Sequence, residues 1–184
     1  MAHSIIDLQK QDHAELDRLL TRYPAESPSA RTETFRAIVN LVTTHAFAEE
    51  EVLFPAARRA LQSGEDLTTL IESEHQRINE LLKEMEPLRP GDAAFESRVE
   101  ELFPLLRDDV RNEEDRLLVA LGGKLETAEL EKLGTAWAVA KKAAPNRAHP
   151  GIPRRPPGNV LAGLPLYFID RLRDVLARLR HAPQ

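Results

Sequence analysis

Cysteine is absent from these 184 residues. Disulfides, thiolate nucleophiles and thiolate-bound metals are therefore excluded, and any metal must be held by His, Asp, Glu or Tyr. Aromatic residues are scarce, at 5% with a single Trp. No apolar run approaches the length that spans a bilayer, so no membrane partner is expected. Met1-Ala2-His3-Ser4 opens with neither a basic region nor a long apolar segment. No secretory signal is expected, and the cytoplasm is the expected location. Stretches that read as strands are also missing.

Hydrophobic residues at 42% and charged residues at 30% suit one domain with an extension. The net charge of −5 is unevenly spread. Residues 141–184 carry nine Lys/Arg against two acids, +7, which leaves −12 on residues 1–140. That asymmetry suggests a basic tail lying on an acidic body, with no nucleic-acid partner expected.

Apolar periodicity near 3.6 organises the chain into helices. Ser4 is placed to cap a helix over residues 5–21, with Ile6, His13, Leu16 and Leu20 on one stripe. A long helix is expected over residues 29–62, capped by Ser29 and kinked or broken by Pro55. A third runs from Asp66 to about Glu86 with Ile71, His75, Ile78, Leu82 and Met85 on its stripe. A fourth, capped by Asp92 and bent by Pro104, carries Val99, Leu102, Leu106, Asp109, Glu113 and Leu117 to a stop at Gly122-Gly123. Thr127 is placed to cap a fifth helix through about Ala143. Residues 145–165 hold six of the 13 prolines and read as an extended strap; an amphipathic helix is expected over residues 166–181. The expected fold class is all-α: an up-down-up-down four-helix bundle over residues 1–123 with an internal two-fold repeat, and a C-terminal extension over residues 124–184.

The repeat carries the chemistry. Asp12-His13 through Leu19-Leu20 lines up with Glu74-His75 through Leu81-Leu82, 62 positions on. His45-x3-Glu49 lines up with Asp109-x3-Glu113, 64 positions on. A His and a Glu four apart share one helical face, and here that face is the apolar one: Ile38 and Val42 precede His45, and Val52 and Ala56 follow Glu49. His13, His45, Glu49, His75, Asp109 and Glu113 would thus face inward at similar depth. Buried carboxylates are costly unless neutralised or coordinated, and imidazole and carboxylate donors from four helices are how a bundle builds a dinuclear metal site. A sulfur-free N/O set suits iron or manganese, and zinc less. Read singly, the residues are blander: His13 as a hydrogen-bonded core His, Glu50 and Glu51 as a solvated face, His3 and His181 as solvent-exposed ends.

Asp12-His13, His45-x3-Glu49-Glu50-Glu51-Val52-Leu53-Phe54-Pro55, Glu74-His75 and Glu113-Glu114 resemble the motifs of the hemerythrin-like family, the HHE cation-binding domain, over about residues 4–121. The tail, with Ala144-Pro145-Asn146-Arg147-Ala148-His149-Pro150 and Asp170-Arg171-Leu172-Arg173-Asp174, is similar to that of a bacterial, notably actinobacterial, branch. The resemblance implies two non-heme iron ions bridged by oxygen and a small oxidant as partner: hydrogen peroxide, O2 or nitric oxide. It implies His13, His45, Glu49 and Glu113 on one iron, and Glu49, His75, Glu113 and residue 109 on the other, with Glu49 and Glu113 bridging. The family usually has His where this chain has Asp109. Asp is shorter, so it would ligate through water or after an inward shift, or yield its place to a tail donor such as Tyr167 or His149. Three carboxylates also favour the ferric state, which argues against a reversible O2 carrier. Three readings stay open: a peroxide-consuming, catalase-like centre; a non-catalytic sensor or store for O2, nitric oxide or iron; and a metal-free structural bundle. The oligomeric state is not given by these features.

Overall fold

The computed structural model describes residues 3–144, which are helical throughout apart from short turns. Helix α1 (Ile5–Arg22) is capped by Ser4, whose hydroxyl accepts from the Asp7 amide. A single 3-10 turn, Tyr23–Ala25, leads to α2 (Pro28–Ala48). Ser27, not Ser29, caps α2, because Pro28 at the first helical position fixes the start one residue after a serine that can reach the Ala30 amide. The chain continues through a π-helical turn, Glu49–Leu53, into α3 (Phe54–Ala60). Helix α4 spans Gly64–Met85, two residues earlier than Asp66 suggested. Helix α5 (Ala93–Asn112) passes through Pro104 and runs into a second π-helical turn, Glu113–Leu118, and then α6 (Val119–Gly122). Glu126, not Thr127, caps helix α7 (Thr127–Ala143), because Glu126 and Glu129 form a reciprocal capping box that places Thr127 at the first helical position.

The two π turns replace the single proline kink expected at Pro55. They are repeat-related, 64 positions apart, and neither contains a proline; Pro55 follows the first, inside α3, and Val119 stands at the matching position after the second. Each adds an i→i+5 step directly after the inward-facing carboxylates. The register therefore slips: after Glu49 the buried positions are Glu50, Leu53, Phe54, Ala56 and Ala57, while Val52 is only partly covered. On α1 the inward residue of the first turn is Ile5 rather than Ile6.

The four long segments form an antiparallel bundle with two separate apolar cores. One, around Tyr23, Phe35, Phe95, Phe103 and Met85, fills the end near the first and third connections. The other, around Ile5, Leu53, Phe54, Ile71, Leu117, Leu121 and Trp137, fills the opposite end. Between them lies a polar layer. His13 sits between Ile5 and Leu16 on α1, His45 after Val42 on α2, His75 between Ile71 and Ile78 on α4, and Asp109 and Glu113 between Leu106 and Leu117 on the α5 segment. Helix α7 lies against α1, α2 and the first π turn. Its contact with α1 requires glycine: a Cβ at Gly134 would sit 2.3 Å from the His3 carbonyl oxygen. Among the described residues no helix is long and apolar enough to cross a membrane. The strap, the expected helix at residues 166–181, Tyr167, His149 and His181 lie outside the described residues.

Candidate metal centre

All six inward residues predicted from the repeat are buried, each 8% exposed or less. Five of them bring ligand-type atoms into two tight groups, His13 with His45 and Glu113, and Glu49 with His75 and Glu113. Within each group the atoms lie within 4.8 Å of one another. The sixth, Asp109, stands outside both groups, with its Oδ2 3.7 Å from His75 Nε2.

The carboxylates span the two groups. Glu49 points Oε1 at His45 Nε2 and Oε2 at His75 Nε2, 3.4 Å in each case. Glu113 places Oε2 2.9 Å from His13 Nε2 and Oε1 3.6 Å from His75 Nε2. The Nε2 atoms of His13 and His45 face each other at 3.2 Å. A buried imidazole pair and two carboxylates reaching to both sides are a donor set for two neighbouring cations. Without a cation the layer is badly satisfied. Apart from these imidazole contacts, both oxygens of Glu49, both of Glu113, Asp109 Oδ1 and His75 Nε2 are buried with no hydrogen-bond partner, a cost that coordination removes. The residues present therefore fit a pair of metal ions.

The outer nitrogens explain the orientation. His13 Nδ1 donates to Glu114 at 2.8 Å, His45 Nδ1 to Asp12 at 2.9 Å, and His75 Nδ1 to Glu50 at 3.2 Å. A carboxylate only accepts, so the Nδ1 proton is fixed outward and each Nε2 is the inward lone-pair nitrogen. The expectation that Glu50 is solvated is overturned: it is 2% exposed, because the π turn rotates it inward beside His75. Glu51 is partly covered, and burial followed by the Glu50 charge pushes its carboxyl up to about 7. His3 is exposed, as expected.

Glu114–His13 and Glu50–His75 are repeat-related. The Asp12–His45 bond has no counterpart, since its equivalent pair is Glu74 and Asp109, two acceptors. Glu74 instead accepts from Asn112 Nδ2 at 2.7 Å, and its other oxygen is buried without a partner. Burial, then the neighbouring Glu113 charge, raise the Asp109 carboxyl well above its ordinary value. Glu113 goes the other way: burial would raise it, but the three imidazoles hold it well below. Burial would lower His45 and His75, yet Glu49 and Asp12 around the first, and Asp109, Glu113 and Glu50 around the second, raise both well above 6.5.

A cavity of about 20 Å³ beside His13, His45, His75, Asp109 and Glu113 has room for about one water-sized molecule. Leu16, Leu106, Val110 and His13 wall both this cavity and an open groove of about 230 Å³ between α1 and α5, which Asp17, Arg107 and Arg111 edge.

The family model for the hemerythrin HHE cation binding domain matches residues 4–121. The chain belongs to that family. This hemerythrin-like protein is 30% identical over 145 residues to a Nostoc sp. protein named DNA nickase, covering 78% of this chain and 41% of that one. It is 27% identical over 135 residues to an uncharacterized hemerythrin-like protein of Schizosaccharomyces pombe, covering 73% and 66%. The chain thus spans less than two thirds of either relative. A crystal structure of a hemerythrin HHE cation binding domain-containing protein from Mycobacterium kansasii superimposes with a TM-score of 0.67 at 18% identity, over 76% of this chain and 86% of that one. That likeness shows the shared fold.

Four further participants were not assigned from the sequence: Asp12, which precedes His13 in the repeat and takes the His45 Nδ1 bond, Glu50, Glu114 and Trp137. Glu50 and Glu114 directly follow the inward glutamates, and their adjacency was the available signal. Trp137 is buried with its ring edge-on to His45, centroids 5.6 Å apart. Nothing in the bundle's own repeat points to a residue on α7.

Proposed function

We propose that this hemerythrin-like protein holds two iron ions through His13, His45, Glu49, His75 and Glu113, and that the centre consumes hydrogen peroxide. Asp109 is the sixth inward group and acts through a water rather than by direct ligation. The observation that carries the reading is the placement of Glu49 and Glu113, each with one oxygen toward either group of imidazoles and all four oxygens lacking any other partner. Two adjacent irons supply a pair of one-electron couples, enough for the two-electron dismutation of two peroxides to O2 and two waters.

The chain's own part is to bind, orient and exclude. Glu114, Asp12 and Glu50 fix the imidazoles with Nε2 inward. The two apolar cores close the layer above and below. The 20 Å³ cavity selects peroxide, O2 or nitric oxide over bulky organic oxidants, and Asp109 lines it as a hydrogen-bonding group for the guest. The acidic balance of residues 1–140 does not suit a polyanion, so the nickase name of the Nostoc relative is not extended to this chain.

Metal analysis of purified protein, paired with O2 evolution from peroxide, tests the reading. About two irons per chain are expected, with His45→Ala and Glu49→Ala each losing most of the iron and the O2 evolution together. Full iron retention in both variants would remove the metal assignment. Iron-loaded protein that leaves peroxide untouched would favour the binding or sensing role instead.

A further inference from the structure

The matched domain ends at residue 121, yet the surroundings of the centre do not. Asp12, the acceptor for His45 Nδ1, is itself in contact with the Lys141 ammonium on α7 through the same oxygen, Oδ2. Lys141 Nζ also lies over the Trp137 ring, 4.9 Å from its centroid. The Trp137 ring in turn meets His45 edge-on. Lys141, Asp12, His45 and Trp137 therefore close a ring of contacts on one side of the layer, of which Trp137 is a buried member. The opposite side is built differently: at the positions related to Asp12 and His45, Glu74 and Asp109 offer two carboxyl groups.

We propose that Lys141 is a positioning residue for the metal centre, acting through Asp12 on His45, and that buried Trp137 covers the inner side of this partly exposed contact, so that α7 makes the two cation positions electronically unequal. The inference rests on His45 being a metal ligand. A bare aspartate bonded to Nδ1–H makes an imidazole a stronger donor to its metal. A lysine on the same aspartate oxygen draws that carboxylate charge away, and His45 donates less. The cation bound by His45 is then held in a more easily reduced state than Asp12 alone would give.

The sign of this effect separates it from simple packing. In the full-length, iron-loaded protein, Lys141→Met is expected to strengthen the Asp12–His45 bond and favour ferric over ferrous iron about tenfold, a potential lower by about 59 mV for one electron. Lys141→Arg is expected to restore most of the change. Asp12→Asn keeps an acceptor but removes its charge, and is expected to shift the potential upward. In Asp12→Asn combined with Lys141→Met, the lysine effect is expected to vanish. Trp137→Phe is expected to shift the potential less than Lys141→Met. Spectroelectrochemical titration reads the potentials, and thermal melts read stability independently. An iron-loaded Lys141→Met protein with unchanged potential, whatever its melting temperature, would overturn the proposal, as would shifts of the same sign in Lys141→Met and Asp12→Asn. Full iron retention in His45→Ala would instead show that the ligand assignment itself had failed, a result read from metal content before any potential is measured.

Discussion

Glu50 shows what a single residue contributes here. It is flanked by Glu49 and Glu51, and such a run ordinarily faces water. Its burial beside His75 Nδ1 makes it one of the groups that set imidazole direction rather than one that binds metal. Loss of such a partner typically costs 10–100-fold in metal affinity. Glu50→Ala should weaken iron binding by roughly that factor while leaving the helical circular dichroism of the loaded protein unchanged. Competition with a chelator measures the affinity, and an unchanged value would remove Glu50 from the site. Asp109 is the complementary case. Its inward position follows from the stripe Val99, Leu102, Leu106, Asp109, Glu113, Leu117, all of which are buried. Its distance from the ligand groups depends on how far helix α5 stands from α4, which periodicity does not encode.

At the scale of an element, the π turns and the α7 contact are the distinctive devices. Pro55 would have been the natural cause of a broken helix, but the second π turn has Val119 at the matching position and forms all the same. The common feature is the layer itself: in each turn one glutamate faces the cation positions and the next reaches a neighbouring imidazole Nδ1, Glu50 from a buried position and Glu114 from a partly exposed one. Pro55→Ala should therefore keep both iron content and fold, with a stability change within about 1 kcal/mol, read by chemical denaturation. A large loss of iron in that variant would return the role to proline. Gly134 is different, since no rotamer relieves a Cβ set 2.3 Å from a backbone oxygen. Gly134→Ala should push α7 off α1 and cost about 1–3 kcal/mol, seen as a lower melting temperature.

For the whole molecule, the polar layer couples folding to pH and to metal. In the metal-free protein His45 and His75 are held well above 6.5. Their contribution is complete below about 6.5 and is lost as pH rises through the folded values. Glu49 and Asp109, raised first by burial and then by the Glu113 charge, weaken folding in the same direction. Glu113, held low, contributes above its ordinary 4.5 and loses this as pH falls. Metal-free protein should thus lose stability as pH falls below about 4.5 and again as it rises above about 6.5. With the proposed ligand set, metal would replace protons on the Nε2 atoms, so the gain in melting temperature on loading should grow across the same rise in pH. A gain that shrinks with pH would contradict the ligand set.

The four long helical segments, their antiparallel order and the inward set His13, His45, Glu49, His75, Asp109 and Glu113 were legible in the chain, because a 3.6-residue period and a 64-residue repeat are properties of sequence spacing alone. Three things were not. The register slip after Glu49 and Glu113 accompanies a second acid at each turn that reaches an imidazole on another helix. The pairing of each imidazole with a carboxylate on another helix depends on how the helices are set side by side. The approach of Lys141 and Trp137 to His45 links residues nearly a hundred positions apart, through a glycine that lets two backbones touch. Spacing along one helix determines which faces turn inward; only the packing of separate helices decides which groups meet there.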